Sequence, residues 1–284
     1  MKLIADGGST KVQWITVSDS ADGHASETFV TRGLNPSVMT TDEITAILRH
    51  DFSSTPYALT ADKVEYYGAG CRGAASEAME SVLRAIFPKA QKITVGSDML
   101  GACRAVAPEG EMSIVCILGT GANSCLYDGN EIIDNVPPLG YILGDEGSGT
   151  WLGKRLLHAV LKENLPQELL HSFRNTYPIG YDEIIRRIYR PAPADGAPNA
   201  FVASFAPFMS ANISHPEIAA MVREGFDRFL TANALLYFRR HQSLSPTTDL
   251  HFVGSIAATF ATQLSEACSA HSLRLASVRS TPLS

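Results

Sequence analysis

The chain has 284 residues, 45% of them hydrophobic, and 23 basic against 29 acidic side chains give a net charge of −6. That length suits two modest domains, and that charge balance excludes a basic nucleic-acid binder. No apolar run approaches about eighteen residues, and a strand pattern begins directly at the N-terminus, so neither a membrane span nor a signal peptide is read. The expectation is a cytoplasmic protein with a small-molecule partner and no nucleic-acid or membrane partner. Arg186-Arg187 and Arg239-Arg240 are isolated basic pairs on solvated helix faces. The five cysteines (Cys71, Cys103, Cys116, Cys125, Cys268) show no CxxC spacing and read as reduced and mostly buried. The histidines form no HxxxH pair, so no metal-ligand cluster is read.

Residues 2–5 read as a strand that stops at Asp6-Gly7-Gly8-Ser9-Thr10-Lys11. Strand-like residues 12–17 follow, then a polar turn with Asp22-Gly23, then a third strand over 27–31. Arg32-Gly33-Leu34-Asn35-Pro36 is a loop, in which Asn35 either caps the turn or offers its amide to a substrate. Thr41 is expected to N-cap a helix with Ile44, Ile47 and Leu48 on one face. A strand over 64–67 runs into Gly68-Ala69-Gly70-Cys71-Arg72-Gly73, a literal GxGxxG ahead of a helix over 74–87. The strand over 92–95 is followed by Asp98. That is the layout of a dinucleotide-binding fingerprint with its ribose-binding acid, so an NAD-dependent oxidoreductase is one reading. The three meander strands before it do not belong to that fold. Asp98 begins a helix running to residue 106. It either caps that helix or acts as a general base at a cleft, since catalytic groups collect at strand ends in open α/β sheets. A polar connector over 107–111 places a domain boundary at residue 110.

The second half opens with an apolar run, 114–118, that stops at Gly119-Thr120-Gly121-Ala122-Asn123. A short run over 124–127 then meets Asp128-Gly129, a hairpin signal in which both turn positions want positive φ. Two carboxylates sit between glycines in Gly144-Asp145-Glu146-Gly147-Ser148-Gly149. Residues 151–163, 181–189, 201–213 and 217–242 read as helices and 191–198 as a loop. A strand over 249–253 ends at Gly254-Ser255, a helix follows to residue 270, and 273–278 is a last strand.

Strand, glycine loop, strand, DG turn, strand therefore occurs twice, with Gly7 and Gly119 in matching places. One period of roughly a hundred residues indicates duplicated domains rather than a solenoid. Each half follows a β-β-β-α-β-α-β plan, with helices inserted in the second over about 151–245. The domains are thus 1–110 and 111–284. Small residues at both strand-to-strand turns leave backbone N–H groups uncovered, as a phosphate cradle requires. Gly149-Thr150-Trp151-Leu152-Gly153-Lys154-Arg155 fails as a P-loop: the glycines are too close and no Ser or Thr follows the lysine.

The motifs at 6–11, 118–124 and 144–149, in that order and spacing, resemble the N-acetylglucosamine kinase group. That group shares its family with the activator ATPases of benzoyl-CoA reductase and 2-hydroxyacyl-CoA dehydratases, within the sugar-kinase, actin and heat-shock-chaperone ATPase superfamily. The resemblance implies an α/β chain of two ribonuclease-H-like (actin-like ATPase) domains with a nucleotide cleft between them. It implies an ATP- and Mg²⁺-dependent kinase acting on a hydroxyl of an amino sugar, N-acetylglucosamine by default, and a homodimer as a family expectation. Gly7, Gly8, Ser9, Thr10 and Lys11, with Gly119, Thr120 and Gly121, would hold the phosphates. Lys11 reads equally as a phosphate contact or a surface lysine. Gly254 and Ser255 would lie on the nucleoside side. Asp98 matches the catalytic aspartate, Asn35, Ala122, Asn123 and Asp145 match sugar-binding positions, and Asp6 would reach the metal through water. Domain closure would exclude water from the transfer. The resemblance also implies a closing helix after the last strand, starting where the sequence ends at Leu283-Ser284. The activator ATPases carry cysteine-held iron–sulfur clusters. Cys103, Cys116 and Cys125 match no such site, which favours the kinase over an activator-type ATPase.

Overall fold

The computed structural model describes residues 1–8, 11–17 and 25–283; Ser9, Thr10 and the Asp22-Gly23 turn lie outside them. Its internal contacts divide the chain into two units, Met1–Ala105 and Val106–Pro282.

The first unit runs β1 (Lys2–Gly7), β2 (Lys11–Val17), β3 (Ala25–Arg32), α1 (Thr41–Asp51), β4 (Lys63–Gly68), α2 (Ala74–Ile86), β5 (Lys92–Ser97) and α3 (Asp98–Val106). Its sheet has the order β3-β2-β1-β4-β5. β1 to β3 form an antiparallel meander, while β4 and β5 run parallel to β1. β1 buries Leu3, Ala5 and Gly7 and leaves the alternate residues half covered, the period of two that fixes register. α1 is capped by Thr40, one residue earlier than the sequence suggests. The Thr40 hydroxyl accepts from Glu43 N–H, and the Glu43 carboxylate accepts from Thr40 N–H. The capping box needs a glutamate three residues on, and only Thr40 has it.

The core of this unit is aromatic. Trp14 is fully buried among Phe29, Phe52, Tyr66 and Phe87. Its indole N–H donates to Thr31 Oγ1 across the β2–β3 ladder at 2.8 Å, which satisfies the ring's one polar atom.

The second unit runs β6 (Ser113–Leu118), β7 (Ala122–Tyr127), β8 (Ile132–Asp134), α4 (Gly140–Leu143), α5 (Gly149–Leu161), α6 (Gln167–Thr176), α7 (Tyr181–Tyr189), α8 (Pro198–Ala203), α9 (Ala206–Ala211), α10 (Pro216–Phe229), α11 (Leu235–Arg240), β9 (Asp249–Val253), α12 (Ser255–Thr259), α13 (Ala261–Ala270) and β10 (Arg274–Arg279). The sheet order β10-β9-β6-β7-β8 repeats that of the first unit strand for strand. The duplicated plan and the α/β class are therefore present, with the extra helices between β8 and β9.

Four details depart from the sequence reading. The Asp128-Gly129 hairpin is wider than two residues: Asp128 N–H donates to Glu131 C=O, and Asp128 Oδ1 accepts from Asn130 and Glu131 N–H. Only Gly129 has positive φ there, because the aspartate side chain builds the turn itself. The helix expected over 201–213 is broken into α8 and α9, with Pro207 in the first turn of α9. The long helix after it contains a π turn, Leu230–Ala234, between α10 and α11. α6 was not visible in the sequence; it follows Pro166 and buries only Leu169, Leu170 and Phe173.

Replacing Trp14 by alanine should cost about 3–5 kcal/mol, as large aromatic deletions do. Thr31→Val should cost about 1–3 kcal/mol through the orphaned indole N–H. Urea unfolding followed by tryptophan fluorescence and circular dichroism measures both.

Candidate active site

In the first unit the polar groups gather where β1, β4 and β5 end. Gly7 pairs with Gly68 across β1–β4, and Gly68 pairs with Ser97 across β4–β5. The Tyr66 ring lies against both glycines: a Cβ on Gly7 or on Gly68 would overlap its ring or hydroxyl. Gly8 N–H donates to Lys11 C=O at 2.9 Å, tying the end of β1 to the start of β2.

Asp98 follows β5 directly. The cap of α3 is Ser97, whose hydroxyl accepts from Leu100 N–H at 3.1 Å. Asp98 Oδ1 accepts from the adjacent Met99 N–H at 2.8 Å. Ser97 thus takes the ordinary helix-capping work. Burial raises the Asp98 carboxyl above the usual carboxylate range, offset in part by the Met99 N–H bond and the Arg72 charge. Asp6 is pushed up to about 6, by burial first and by the Asp98 charge second, with Lys11 pulling the other way. The Asp98 charge acting on Asp6 marks an electronegative pair able to receive a hydrated cation. Lys11 is exposed and lies close enough to act on Asp6. Asn35 Oδ1 accepts from Ser37 N–H and Ser37 Oγ at 3.0 and 2.5 Å. It sits so close over Gly70 that a Cβ there would overlap it.

In the second unit the β6–β7 turn is braced from behind. Gly119 C=O accepts from Gly149 N–H at 2.8 Å, and Thr120 C=O accepts from Thr150 N–H at 3.1 Å and Thr150 Oγ1 at 2.6 Å. The start of α5 therefore holds the carbonyls. Among the described residues no partner takes the Thr120 or Gly121 N–H, which leaves both donors for an anion. Gly254 has φ +125, and its Cα lies against the Leu118 carbonyl and Gly119 N, so only glycine fits.

Asp145 is buried and has φ +60. Its Oδ1 accepts from Ala122 N–H at 3.1 Å, and its carboxylate lies against Gly121. Burial raises its carboxyl, while the Ala122 N–H and Lys154 lower it. Asn123 Oδ1 accepts from Ser124 N–H and Asn135 Nδ2 at 2.9 and 3.1 Å. Behind it, Tyr237 OH bonds Ser124 Oγ and accepts from Val136 N–H, both at 2.9 Å.

A 200 Å³ pocket opens beside the turn, lined by Gly119, Thr120, Gly149 and Ser255. A 480 Å³ recess continues from it between α8–α9 and α12, past Ala203, Ser204, Pro207, Ser255, Ile256 and Thr259. Its walls carry small and apolar side chains and hydroxyls, the lining that accepts a nucleoside.

The structure thus brings together Gly7, Gly8, Lys11, Asp6, Asp98 and Asn35 in one unit, and Gly119, Thr120, Gly121, Ala122, Asn123, Asp145, Gly254 and Ser255 in the other. Ser9 and Thr10 lie outside the described residues. Thr150, Asn135, Tyr237 and the α8–α9 wall were missed in the sequence. Thr150 had a signal, its place just after the 144–149 motif. The other three come together only through tertiary packing. The dinucleotide reading is corrected by the sheet itself: the 68–73 turn follows the fourth strand of a mixed sheet with an antiparallel meander, and Asn35 covers Gly70 where a pyrophosphate would approach.

Repeated sheets of this order with a glycine turn in each define the actin-like ATPase fold of sugar kinases. Neither a protein-family model nor a curated protein matches the chain. Among solved structures, a putative N-acetylglucosamine kinase from Porphyromonas gingivalis is 38% identical, with 100% of this chain and 96% of that one covered at a TM-score of 0.92. The chain belongs to the same family as that protein. A putative N-acetylglucosamine kinase from Chromobacterium violaceum shares the fold at 16% identity, covering 99% and 95% of the two chains with a TM-score of 0.70. So does a glucokinase of the ROK family from Streptomyces griseus, solved with glucose and AMPPNP, at 14% identity, 99% and 94% coverage and a TM-score of 0.61.

Gly254→Ala should push the β9–α12 turn off Leu118 and disturb the Gly119–Gly121 loop. Nucleotide affinity should fall about tenfold or more, near 1.4 kcal/mol per decade, with sugar affinity unchanged. Isothermal titration with each ligand checks this.

Proposed function

We propose that the protein is an ATP-dependent kinase that phosphorylates a hydroxyl of an amino sugar, most simply N-acetylglucosamine. The single observation that carries this is Asp98: a carboxylate at a strand end, released from helix capping by Ser97 and raised by burial. The family membership supports the same reading. Within the superfamily we place the chain with the N-acetylglucosamine kinases that share a family with the benzoyl-CoA reductase activator ATPases. We take 1–110 as the N-terminal ribonuclease-H-like domain and 111–284 as the C-terminal one, with the helical insertion at about 151–245.

In this mechanism the loops 7–11 and 119–121 hold the phosphates of ATP. The recess beside Ser255 takes the nucleoside. Asn35, Ala122, Asn123 and Asp145 bind the sugar, and Asp98 receives the proton of the attacking hydroxyl. General-base help of this kind is worth roughly 10²–10⁴-fold. The transition state is loose, so positioned N–H donors and charge neutralisation supply most of the rest. Asp6 would hold Mg²⁺ through water; the pairing of its raised carboxyl with Asp98 suits a hydrated cation, and the ion would supply charge neutralisation at the phosphates. Lys11 balances the Asp6 charge in the resting protein. Among the described residues no helix is long and apolar enough to cross a membrane, and we place the protein in the cytoplasm.

ADP release from Mg-ATP should be seen with an N-acetylated hexosamine and be close to nil without sugar. Steady release indifferent to every sugar would support an activator-type ATPase instead. Asp98→Asn should abolish turnover and leave nucleotide binding intact. It should also stabilise the protein. An acid whose folded pKa exceeds its unfolded value loses stability as pH rises through the two. The neutral amide escapes that loss, so the Tm difference should grow from about pH 4 upwards and vanish in stronger acid. Calorimetry across pH tests the sign, and kcat should fall as pH drops through the raised Asp98 pKa.

A further inference from the structure

The Gly68–Gly73 turn has no role in the reading above, although it is the most glycine-rich loop of the first unit. Its place is well defined. Gly68 lies opposite Ser97, the residue before Asp98, and Asn35 packs on Gly70. Gly70 and Gly73 both have positive φ, +78 and +51. These two glycines bend the turn so that Cys71 goes into the core and Arg72 stands out in solvent.

Arg72 differs from its neighbours. Arg32 is held by Asp51 at 2.8 Å, Arg84 by Glu80 at 2.7 Å, and Arg104 donates to Tyr67 OH at 2.5 Å. Among the described residues Arg72 has no carboxylate and no hydrogen-bond acceptor for its guanidinium. It is still near enough to Asp98 to oppose the upward push of burial on that carboxyl. A second polar group at the same strand ends is also unpaired. Tyr66 OH is completely buried against Gly7 and Gly68 and has no hydrogen-bond partner among the described residues. A free guanidinium beside a base, without an ion pair between them, leaves its fork of donors open for an oxyanion.

We propose that Arg72 is a catalytic residue that binds the equatorial oxygens of the γ-phosphoryl group as it passes from ATP to the sugar hydroxyl. The proposal rests on the kinase reading. In the step, the sugar oxygen forms its bond to phosphorus while the bond from phosphorus to the β–γ bridging oxygen breaks. The electron pair of the broken bond leaves with ADP, and the hydroxyl proton passes to Asp98. Nothing is oxidised or reduced. The charge on the three non-bridging oxygens is greatest in its need for donors midway, and a bidentate guanidinium meets two of them at once where an ammonium meets one.

The test compares wild type, Arg72→Lys and Arg72→Gln in sugar-dependent ADP release over a range of pH. Arg72→Gln should lower kcat about 10²–10³-fold, the scale of losing one transition-state donor. KM for the sugar and the affinity for Mg-ADP should change by less than about threefold. Arg72→Lys should recover part of the loss. Mg-ADP with fluoroaluminate and sugar, a mimic of the transferring group, should bind the wild type tightly and Arg72→Gln no better than Mg-ADP alone. Arg72 is exposed, so both variants should keep the wild-type Tm.

Three results would overturn the assignment. A kcat within about threefold of wild type would remove Arg72 from the chemistry. A loss that disappears at higher pH would mean that Arg72 acts only by holding down the Asp98 pKa. A loss confined to sugar KM would make it a substrate-binding residue. The kinase reading fails separately, in the wild type, if no sugar stimulates ADP release; the assignment of Arg72 then falls with it.

Discussion

The close approach of Tyr66 to the glycines at the ends of β1 and β4 is the constraint on which the first unit depends. The ring occupies the space that side chains at 7 and 68 would need. Removing those side chains lets two parallel strands end in register, Gly7 against Gly68. The next register step sets Ser97 beside Gly68 and so fixes Asp98 at the same edge. The second unit solves the same problem with Gly254, whose Cα lies against the end of β6. In both units a glycine that lacks a side chain at a close approach sets the position of a polar loop. Such contacts are stiff: Gly254 meets backbone, which has no rotamer through which to yield, and the Tyr66 ring is fully buried in a packed core.

The electrostatics are arranged at some cost to stability. Burial raises both Asp6 and Asp98, the Asp98 charge raises Asp6 further, and Lys11 and Arg72 moderate them, with no ion pair to either carboxylate among the described residues. Asp145 adds backbone strain of about 1–3 kcal/mol for a left-handed non-glycine residue, less for an aspartate. That φ turns the carboxylate back onto Ala122 N–H and so joins the 144–149 motif to the start of β7. The aromatic core around Trp14 and the braces from Thr150 stabilise the scaffold that carries these unfavourable groups.

The repeat was legible because its signals are local. A strand period of two stopped by small residues reads the same at 6–11 and at 119–123. The capping of α1 was nearly legible, and Thr40 wins over Thr41 through a glutamate placed three residues later. Asp98 was ambiguous because a residue at a helix start can be cap or catalyst; the hydroxyl of Ser97 takes the cap, a geometric detail that the sequence does not carry. The recess beside Ser255 was not legible at all. Ala203, Ser204 and Pro207 are unremarkable in sequence and become a wall only when a helix breaks at Ser204-Phe205 and faces α12. The GxGxxG misled for a physical reason: a tight strand-to-helix turn wants the same glycines whether or not a pyrophosphate lies over it.

The duplicated topology gives that turn a meaning. β1-β2-β3 corresponds to β6-β7-β8, and β4-β5 to β9-β10. The turn from β4 into α2 therefore corresponds to the turn from β9 into α12. In the second unit that turn is Gly254-Ser255, and Ser255 lines both pockets beside the Gly119–Gly121 loop. In the first unit the same turn carries Arg72, next to the strand that delivers Asp98. A turn that follows a parallel strand at a sheet's carboxyl edge is where open α/β sheets place their ligands. The two copies have diverged in what they present, a hydroxyl in one and an unpaired guanidinium in the other. On the proposed kinase reading that difference would follow chemical demand: a bound nucleoside asks for shape and a few hydrogen bonds, whereas a phosphoryl group in transfer asks for positive charge.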